Sequence, residues 1–569
     1  MRWNKKLGCI KIRVGFSSQV FVVTDMKDHK KQIVFSWGVF FWCTICITIT
    51  CFAALGLLFT DGFNPGVVST WNIPANDAVS PELPEIPAIS IQQTVIFPDE
   101  ALVFLKYPPS STLFTKDAIN CIYLHPNSTQ PQLELSPSSV DFDYDNHHQI
   151  VRCPLPPRGT VPSLVIKQKV NLRPGPTYEW DSLAYEALID RDNTTVVFVK
   201  GFNLRSGKAD DPSKFKCIYG QDLTKSKFVL QADVVSVAQE IVRCKTPPSI
   251  LRLISSNNDN PFKVSVRFVG KRAINSIARV KIDKPLHNNK QHQMCMCTML
   301  RNQARFLREW VTYHSRIGVD RYFIYDNNSD DDIEGTIDSL VGDDYNITRH
   351  VWPWIKTQEA GFAHCALKAR DSCEWVGFTD IDEFLHLPTN VSLQDVVKNQ
   401  TRQSDVGELR ISCHTFGPSG LKEIPEQGVM VGYTCRMVAP ERHKSIVRPE
   451  ALDSSLINVV HHFNLKTRFR HVNVDRSLLV INHYKYQVWE VFKEKFVRRA
   501  PAYVADWQQD KDVGSKDRTP GLGTKPVEPS DWSTRYCQVW DTRLKKWILE
   551  NFTDPETGLL PWEKIRLNV

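Results

Sequence analysis

A long stretch without charged side chains lies near the start of the chain and restricts its fold more than any other feature. No Asp, Glu, Lys or Arg occurs between Lys31 and Asp61. Within it, the apolar run over residues 33–59 is long enough to cross a bilayer core of about 30 Å as a helix. A buried core helix is the alternative. A run of this length without a polar face favours a membrane span.

The charges in front of this run indicate its orientation. Residues 1–32 hold eight basic and two acidic side chains, a balance of +6 out of +7 for the whole chain. The positive-inside rule therefore predicts a cytosolic tail over 1–32, a transmembrane signal anchor over 33–60 and a luminal body, a type II arrangement. Since that body is close to neutral, nothing in the charge favours nucleic acid or another polyanion as a partner.

Two further features fit a luminal body. Eleven of the 15 cysteines follow residue 60, in a compartment where disulfides persist. Seven Asn-x-Ser/Thr triplets indicate a glycoprotein; they begin at Asn127, Asn193, Asn327, Asn346, Asn390, Asn399 and Asn551.

An internal repeat follows a proline-rich segment, residues 61–93, that predicts an extended stem. In each copy a Cys-Ile-Tyr triplet, at Cys121 or Cys217, is followed by an Ile-Val-Arg-Cys run that ends at Cys153 or Cys244. Alternating apolar positions and many turn residues predict tandem β-sandwich modules over residues 94–285. Cys121–Cys153 and Cys217–Cys244 are the expected disulfides, and free buried thiols are the alternative.

The modules also carry aromatic residues that could bind carbohydrate. Tyr107, Tyr144, Tyr178 and Trp180 would stack on sugar rings if they were exposed. The alternative is that these side chains belong to the core or to a hinge between domains.

From residue 286 to the end, the pattern changes to alternating strands and helices, which predicts an α/β domain. Strands are expected over 294–300, 321–325, 347–352, 374–378, 408–413 and 477–481. Helices are expected over 304–317, 358–370 and 487–504.

Two aspartates directly follow the strand predicted over 374–378. Asp380 and Asp382 are two residues apart and can offer oxygens to one hard divalent cation. Such a cation takes up the charge that develops on a diphosphate leaving group. Ligands of open α/β sheets bind at the carboxyl ends of the strands, and Asp326 ends an earlier strand, where it could contact a nucleoside. A surface turn that caps a helix is the alternative.

Several segments, taken together and in this order, resemble glycosyltransferase family 92. They are CTMLRNQARFLREWVTYHSRIGVDRYFIYDNNS, WVGFTDIDEFL, FGPSG, KSIVRP and INHY, within roughly residues 290–510. The segments, and the cysteine-paired modules before them, are similar to the plant pectic β-1,4-galactan synthases of that family. The resemblance implies an α/β GT-A (Rossmann-like) fold for the catalytic domain over 286–569. In the expected fold this domain is preceded by the all-β sandwich modules and the one N-terminal transmembrane helix predicted above. The resemblance also implies a UDP-sugar donor, Mn²⁺ and inversion at the anomeric carbon.

The resemblance and the spacing together suggest roles for individual residues. Asp382 is the stronger metal ligand of the aspartate pair, Asp380 is a ligand or a ribose contact, and His483 resembles the histidine that completes the metal site in this fold. The expected donor-binding residues are Arg301, Asn302, Asp326, Asp380, Gly417, Gly420, Lys444 and Arg448. A plain turn is the alternative for the glycine loop, and a solvated pair is the alternative for Lys444 and Arg448.

An inverting transfer also needs a general base that removes the proton of the acceptor hydroxyl. Glu441 and Asp453 follow the glycine loop and are both candidates for this role. Nothing in the sequence distinguishes them.

The expected activity is a β-1,4-galactosyltransferase of the Golgi membrane that moves galactose from UDP-galactose to the non-reducing end of β-1,4-galactan, a pectin side chain. A homodimer is also expected. One alternative is the same fold with another UDP-sugar. The other is a membrane-tethered glycan-binding protein whose transferase domain is inactive.

Overall fold

The computed structural model describes residues 89–563, except 108–112, 127, 129, 144–147, 167–169, 203–207, 224–228, 257–261, 283–289, 390, 461 and 504–527. The predicted cytosolic tail and membrane anchor, nearly all of the stem, and Tyr144 lie outside these residues. Among the described residues, no helix has both the length and the apolar character needed to cross a membrane. The described residues all belong to one compact unit, Glu85–Val569.

The first copy of the repeat folds into two sheets, with strand orders β5-β6-β2-β1-β9 and β4-β3-β7-β8. Apolar side chains from both sheets form a common core, and the expected disulfide Cys121–Cys153 joins β3 to β6. The predicted boundary at residue 94 falls inside the first strand. Strands β1–β9 of this first β module are Ser90–Ile96, Glu100–Lys106, Ile119–Leu124, Pro131–Leu135, Ser139–Asp143, His148–Pro154, Val161–Ile166, Val170–Asn171 and Thr177–Glu179.

The second copy has the same disulfide, here Cys217–Cys244, but its strands join into one continuous sheet, β16-β13-β14-β15-β11-β10-β17. The long strand β14 causes this, because it pairs with β13 along one part and with β15 along the other. Strands β10–β18 of this second β module are Leu183–Ile189, Thr194–Val199, Ala209–Asp210, Phe215–Gly220, Leu230–Ala238, Ile241–Lys245, Lys263–Phe268, Asn275–Ser276 and Lys281–Ile282, with helix α1 at Pro248–Ser256.

The third part is the predicted α/β domain. Its strands β19–β29 are His292–Leu300, Arg321–Asp326, Ile347–Val351, Cys373–Phe378, Glu383–His386, Val406–Thr415, Cys435–Arg436, Arg442–Val447, Arg470–Asn473, Val480–His483 and Val539–Trp540. Its helices α2–α8 are Ala304–Ile317, Ile333–Gly342, Gln358–Ala369, Leu393–Gln400, Val429–Gly432, Trp489–Tyr503 and Arg543–Phe552.

The main sheet of this domain has the order β21-β20-β19-β22-β26-β24-β28-β23. The first four strands are parallel, and β26 is antiparallel to both of its neighbours. Four parallel strands with connecting helices form a Rossmann-like half-sheet, whose ligands bind at the carboxyl ends of the strands. This is consistent with the expected GT-A-like domain. Three further disulfides, Cys295–Cys373, Cys297–Cys365 and Cys435–Cys537, lie in this domain.

The two β modules share a hydrophobic core with the α/β domain. Side chains of β19 point alternately to the two faces of the sheet, so that Met294 and Met296 pack with α2 while Cys295 and Cys297 face the modules. Trp180 belongs to this shared core: it is 3% exposed and stacks on a tryptophan of the α/β domain, with ring centroids 5.5 Å apart. The expectation that Trp180 is an exposed sugar platform is therefore wrong.

Candidate active site

The acidic loop, residues 379–383, lies at the carboxyl end of β22, where the sequence predicted a ligand site. After Asp382 the chain turns back into β23, which pairs with β28 so that Glu383 lies opposite His483. The loop is stiffened by its own backbone, since the N–H of Glu383 donates to the carbonyl of Asp380 at 3.0 Å. Residues about a hundred positions apart in the sequence therefore meet at one sheet edge.

Asp382 is buried and is surrounded by cationic or basic groups. Its Oδ2 lies 3.6 Å from Nε2 of His483, and Nζ of Lys495, on α7, contacts the same oxygen. Burial alone would raise the pKa of Asp382, but the ammonium of Lys495 and the imidazole of His483 hold it well below its usual range. Asp382 is therefore an anionic oxygen donor with a cation already beside it.

Asp380 faces a different cation. Nζ of Lys444 lies 3.0 Å from Oδ2 of Asp380 and 3.0 Å from Oε2 of Glu383. Although burial lowers the pKa of Lys444, the two carboxylates outweigh burial and raise it. Burial raises the pKa of Glu383. Lys444 is only 1% exposed, so the alternative of a solvated surface lysine is wrong.

Sequence reasoning gave no role to Glu383 or to Lys495. Glu383 stands in the same motif as the aspartates, and its Oε1 lies 3.6 Å from Nδ1 of His483. A carboxylate behind a histidine typically fixes the orientation of the ring. The position of Glu383 beside the aspartate pair was the available signal for its role. For Lys495 the sequence offered no such signal, because this residue lies 113 positions from Asp382.

The loops after β19 and β20 form the neighbouring part of this edge. Asn302 joins them: its N–H donates to Oγ of Ser329 at 3.0 Å, and its Oδ1 accepts from the N–H of Asp330 at 2.6 Å. Arg301 lies 3.5 Å from Asp330 and is partly exposed. Both carboxylate oxygens of Asp326 have partners, since Oδ1 accepts from the N–H of Ser329 at 3.0 Å and Oδ2 from Arg349 at 2.7 Å.

The glycine loop, residues 417–420, follows β24 at the same edge. A Cβ on Gly417 would lie 2.4 Å from the carbonyl oxygen of Arg535, so the close backbone approach predicted here is made to the C-terminal segment. Gly420 has a φ of 84°, which favours glycine, and its N–H donates to the carbonyl of Ser533 at 2.7 Å. Within the described residues, these contacts explain why glycine occurs at both positions.

The two candidate bases lie in different surroundings. Glu441 directly precedes β26; its side chain is 38% exposed and lies 3.4 Å from Nζ of Lys485, two residues after His483. Asp453 lies on a turn, where its Oδ1 accepts from both the N–H and the hydroxyl of Ser455. Ser454, the residue directly after Asp453, accepts a hydrogen bond from Arg243 of the second β module.

Arg448 lies away from the acidic loop. The antiparallel pairing of β22 with β26 sets Phe378 against Ser445, and Val376 against Val447, so Arg448 lies beside the amino-terminal half of β22. Its guanidinium stacks 4.9 Å from the ring of Trp375. Lys444 and Arg448 are therefore separated by about 13 Å of strand.

The acidic edge suits a divalent cation held by two protein donors. Among the described residues, no three His, Cys, Asp or Glu side chains form a group that could hold a metal ion. Oδ2 of Asp382 and Nε2 of His483, however, lie 3.6 Å apart, close enough for both to bind one cation, which would compete with the ammonium of Lys495 for the same carboxylate oxygen. Cations of this class are commonly held by one or two protein ligands together with substrate phosphates. The carboxylate of Asp380, which faces Lys444, fits a ligand role less well.

Comparison with known proteins agrees with the motifs of the catalytic domain. Residues 290–512 match the model of glycosyltransferase family 92. The chain is 58% identical to a family 92 protein of Ricinus communis, over 95% of this chain and 100% of that protein. It is 52% identical to one of Oryza sativa subsp. japonica, over 84% and 83%.

A solved structure, Staphylococcus aureus TarS 1-349, is similar over 38% of this chain and 68% of that one, at 12% identity and a TM-score of 0.22; this likeness is too weak to carry an argument. The family match and the two plant relatives are much stronger. The chain belongs to glycosyltransferase family 92.

Proposed function

We propose that this protein is an inverting, metal-dependent β-1,4-galactosyltransferase that transfers galactose from UDP-galactose to the non-reducing end of β-1,4-galactan. The observation that carries the proposal is the meeting of Asp382 and His483 at the carboxyl edge of a Rossmann-like sheet. The loops that hold Arg301 and Asn302 lie at the same edge, beside the acidic loop. The choice of galactose and galactan rests on the motif resemblance to the pectic galactan synthases.

Each residue of the edge has a distinct task in this proposal. Asp382 and His483 would hold Mn²⁺, which stabilises the charge on the UDP leaving group when it is bound. Glu383 orients His483 from behind the ring. Lys444 neutralises Asp380 and Glu383, so that the acidic loop does not repel the donor diphosphate.

Glu441 is the better supported of the two candidate bases. Its carboxylate is partly exposed, close to the segment that contains His483, whereas Asp453 is engaged in its own turn and adjoins a module contact. In the reaction, Glu441 accepts the proton of the acceptor hydroxyl while that oxygen bonds to the anomeric carbon. The bond from that carbon to UDP breaks in the same step, and UDP departs with its electron pair.

The cellular setting is part of the proposal. Ten cysteines among the described residues form five disulfides, which supports an oxidising compartment. With the uncharged run over residues 33–59, this favours a single-pass type II protein of the Golgi membrane whose catalytic domain is luminal. A homodimer remains part of the proposal.

A donor-by-acceptor screen of the full chain with Mn²⁺ tests this function. UDP-galactose with β-1,4-galacto-oligosaccharides is expected to give elongated products, and Glu441→Gln to lower the rate about 100-fold or more. Asp453→Asn is the matched control and should change the rate little. Transfer of a different sugar would replace the donor assignment. Binding of galactan without turnover of any UDP-sugar would favour an inactive glycan-binding protein.

A further inference from the structure

We infer that Arg152, on β6 of the first β module, is a positioning residue for the UDP-binding loops of the α/β domain. This inference rests on the proposed function. Arg152 is 1% exposed, and its guanidinium extends from the module into the α/β domain. It donates to the side chain of Asp330 at 2.6 Å and to the carbonyl of Ser329 at 3.2 Å.

The loop that Arg152 contacts also holds the neighbouring loop in place. Ser329 and Asp330 both bond to Asn302, and Asp330 pairs with Arg301. Arg301 and Asn302 are the residues expected to contact the uridine or the diphosphate. One buried guanidinium of the module therefore fixes two loops at the donor edge.

A second contact from the same module is made to Arg349, the arginine that binds Asp326. Oδ1 of Asp141, on β5, lies 3.3 Å from Nη2 of Arg349, and that nitrogen also lies 2.7 Å from Oδ2 of Asp326. Arg152 and Asp141 are themselves 3.8 Å apart. The module thus supplies a charged partner to the loop after β20, through Arg152, and another to Arg349, the residue of the α/β domain that binds Asp326.

The internal repeat provides a matched comparison. Arg243 stands at the position in the second copy that Arg152 has in the first, and it is 2% exposed. It also reaches the α/β domain, where its Nε donates to the carbonyl of Ser454 at 2.8 Å. Its other close partners, Asp190 and Thr194, belong to the second β module. Arg243 therefore has similar burial and an interdomain contact, but it touches neither of the UDP-binding loops.

The two arginines can be separated by measuring UDP affinity and folding stability together. In the full chain with Mn²⁺, Arg152→Gln is expected to raise the Kd of UDP and the donor KM by about tenfold, with a smaller change in acceptor KM. Arg243→Gln should lower the melting temperature about as much as Arg152→Gln does, but it should leave the Kd of UDP unchanged. Arg152→Lys, which keeps the charge, should recover part of the UDP affinity.

Asp330→Asn provides a second test: the side chain of Asp330 is about half exposed, so its substitution is expected to disturb folding less than that of Arg152. It should also weaken UDP binding, and the double variant Arg152→Gln/Asp330→Asn should lose less than the product of the two single effects. Equal UDP affinity in wild type and Arg152→Gln, or equal losses in Arg152→Gln and Arg243→Gln, would overturn the positioning role alone. Failure of the wild type to bind UDP would overturn the proposed function as well.

Discussion

The ammonium of Lys495 contacts Oδ2 of Asp382, the same oxygen that faces the ring of His483. A helix that begins more than a hundred residues after the acidic loop therefore supplies a positive charge at the candidate metal position. A lysine and a divalent cation compete for one carboxylate oxygen, since like charges at this separation repel.

Lys495→Met is expected to tighten Mn²⁺ binding in the absence of donor. Removing the ammonium leaves Asp382 free to bind the metal, and a gain of about tenfold in affinity is expected. Titration with Mn²⁺, followed by the electron paramagnetic resonance signal of the free ion, measures it. Lys493→Met, at an exposed position of the same helix, is the control. Weaker Mn²⁺ binding in Lys495→Met would show that the lysine supports the metal site.

Lys444→Met is expected to destabilise the fold strongly. The substitution leaves Asp380 and Glu383 without their shared cation, and breaking a buried ion pair typically costs about 3–5 kcal/mol. Denaturant unfolding of the two proteins measures the change in the free energy of unfolding. Adding Glu383→Gln, which removes one buried charge, should recover part of the loss. A double variant less stable than Lys444→Met would contradict this charge balance.

Gly417→Ala is expected to lower the melting temperature, because the new Cβ would meet the carbonyl oxygen of Arg535 at 2.4 Å. Overpacking of this kind costs about 1–3 kcal/mol. Gly342→Ala is the control: it lies in α3, and nothing lies within 4 Å of an added Cβ. That variant should be neutral, or more stable by about 0.5–1 kcal/mol. Equal melting temperatures for Gly417→Ala and wild type would mean that the C-terminal segment docks differently.

Stability should fall on acidification because His314 is buried and neutral. Burial lowers the pKa of His314 to about 3, from an ordinary 6.5. Its Nδ1 donates to the carbonyl of Trp310 at 2.8 Å, and its Nε2 accepts from the N–H of Leu385 at 3.2 Å. The unfolded chain binds a proton there between pH 6.5 and 3 and the native protein does not, so the free energy of unfolding decreases as the pH falls through that range.

His314→Gln tests this origin of the acid sensitivity. It removes one titrating group and should make the pH dependence of the free energy of unfolding shallower between pH 6.5 and 4, as measured by denaturant titration at several pH values. Part of the slope should persist, because burial also lowers the pKa of His386 and of His414 to about 4. His125→Gln, at an exposed position, should leave that slope as in wild type. An unchanged slope in His314→Gln would assign the acid sensitivity to other groups.

The spacing of apolar residues predicted helices and strands well in segments where a single hydrophobic periodicity dominates. Helix α2 begins at Ala304 and ends at Ile317, as its apolar spacing indicates. The sequence predicts a strand over 477–481, just before His483. In the structure this strand begins later and includes the histidine, over Val480–His483. Asp475 accounts for the late start, because its side chain and carbonyl accept from the N–H groups of Ser477 and Leu478 and form a turn there.

Contacts between distant segments account for what the sequence did not reveal. The aspartate pair after β22 located the candidate site. The burial of Lys444 between Asp380 and Glu383, however, depends on the pairing of β22 with β26. Trp180 looked like a possible sugar platform because an aromatic residue in a small module can be either surface or core. Its stacking partner is in another domain, and no local pattern encodes that contact.

The most direct test of the account is galactose transfer by metal-stripped full chain, measured before and after addition of Mn²⁺. Wild type should transfer galactose from UDP-galactose to a β-1,4-galacto-oligosaccharide only after Mn²⁺ is added. Asp382→Asn, with an unchanged melting temperature, should remain at least about 100-fold slower at saturating donor. Asp338→Asn, an exposed carboxylate on α3, should match wild type. Full transfer by chelated wild type, or by Asp382→Asn, would contradict the metal site at Asp382 and His483.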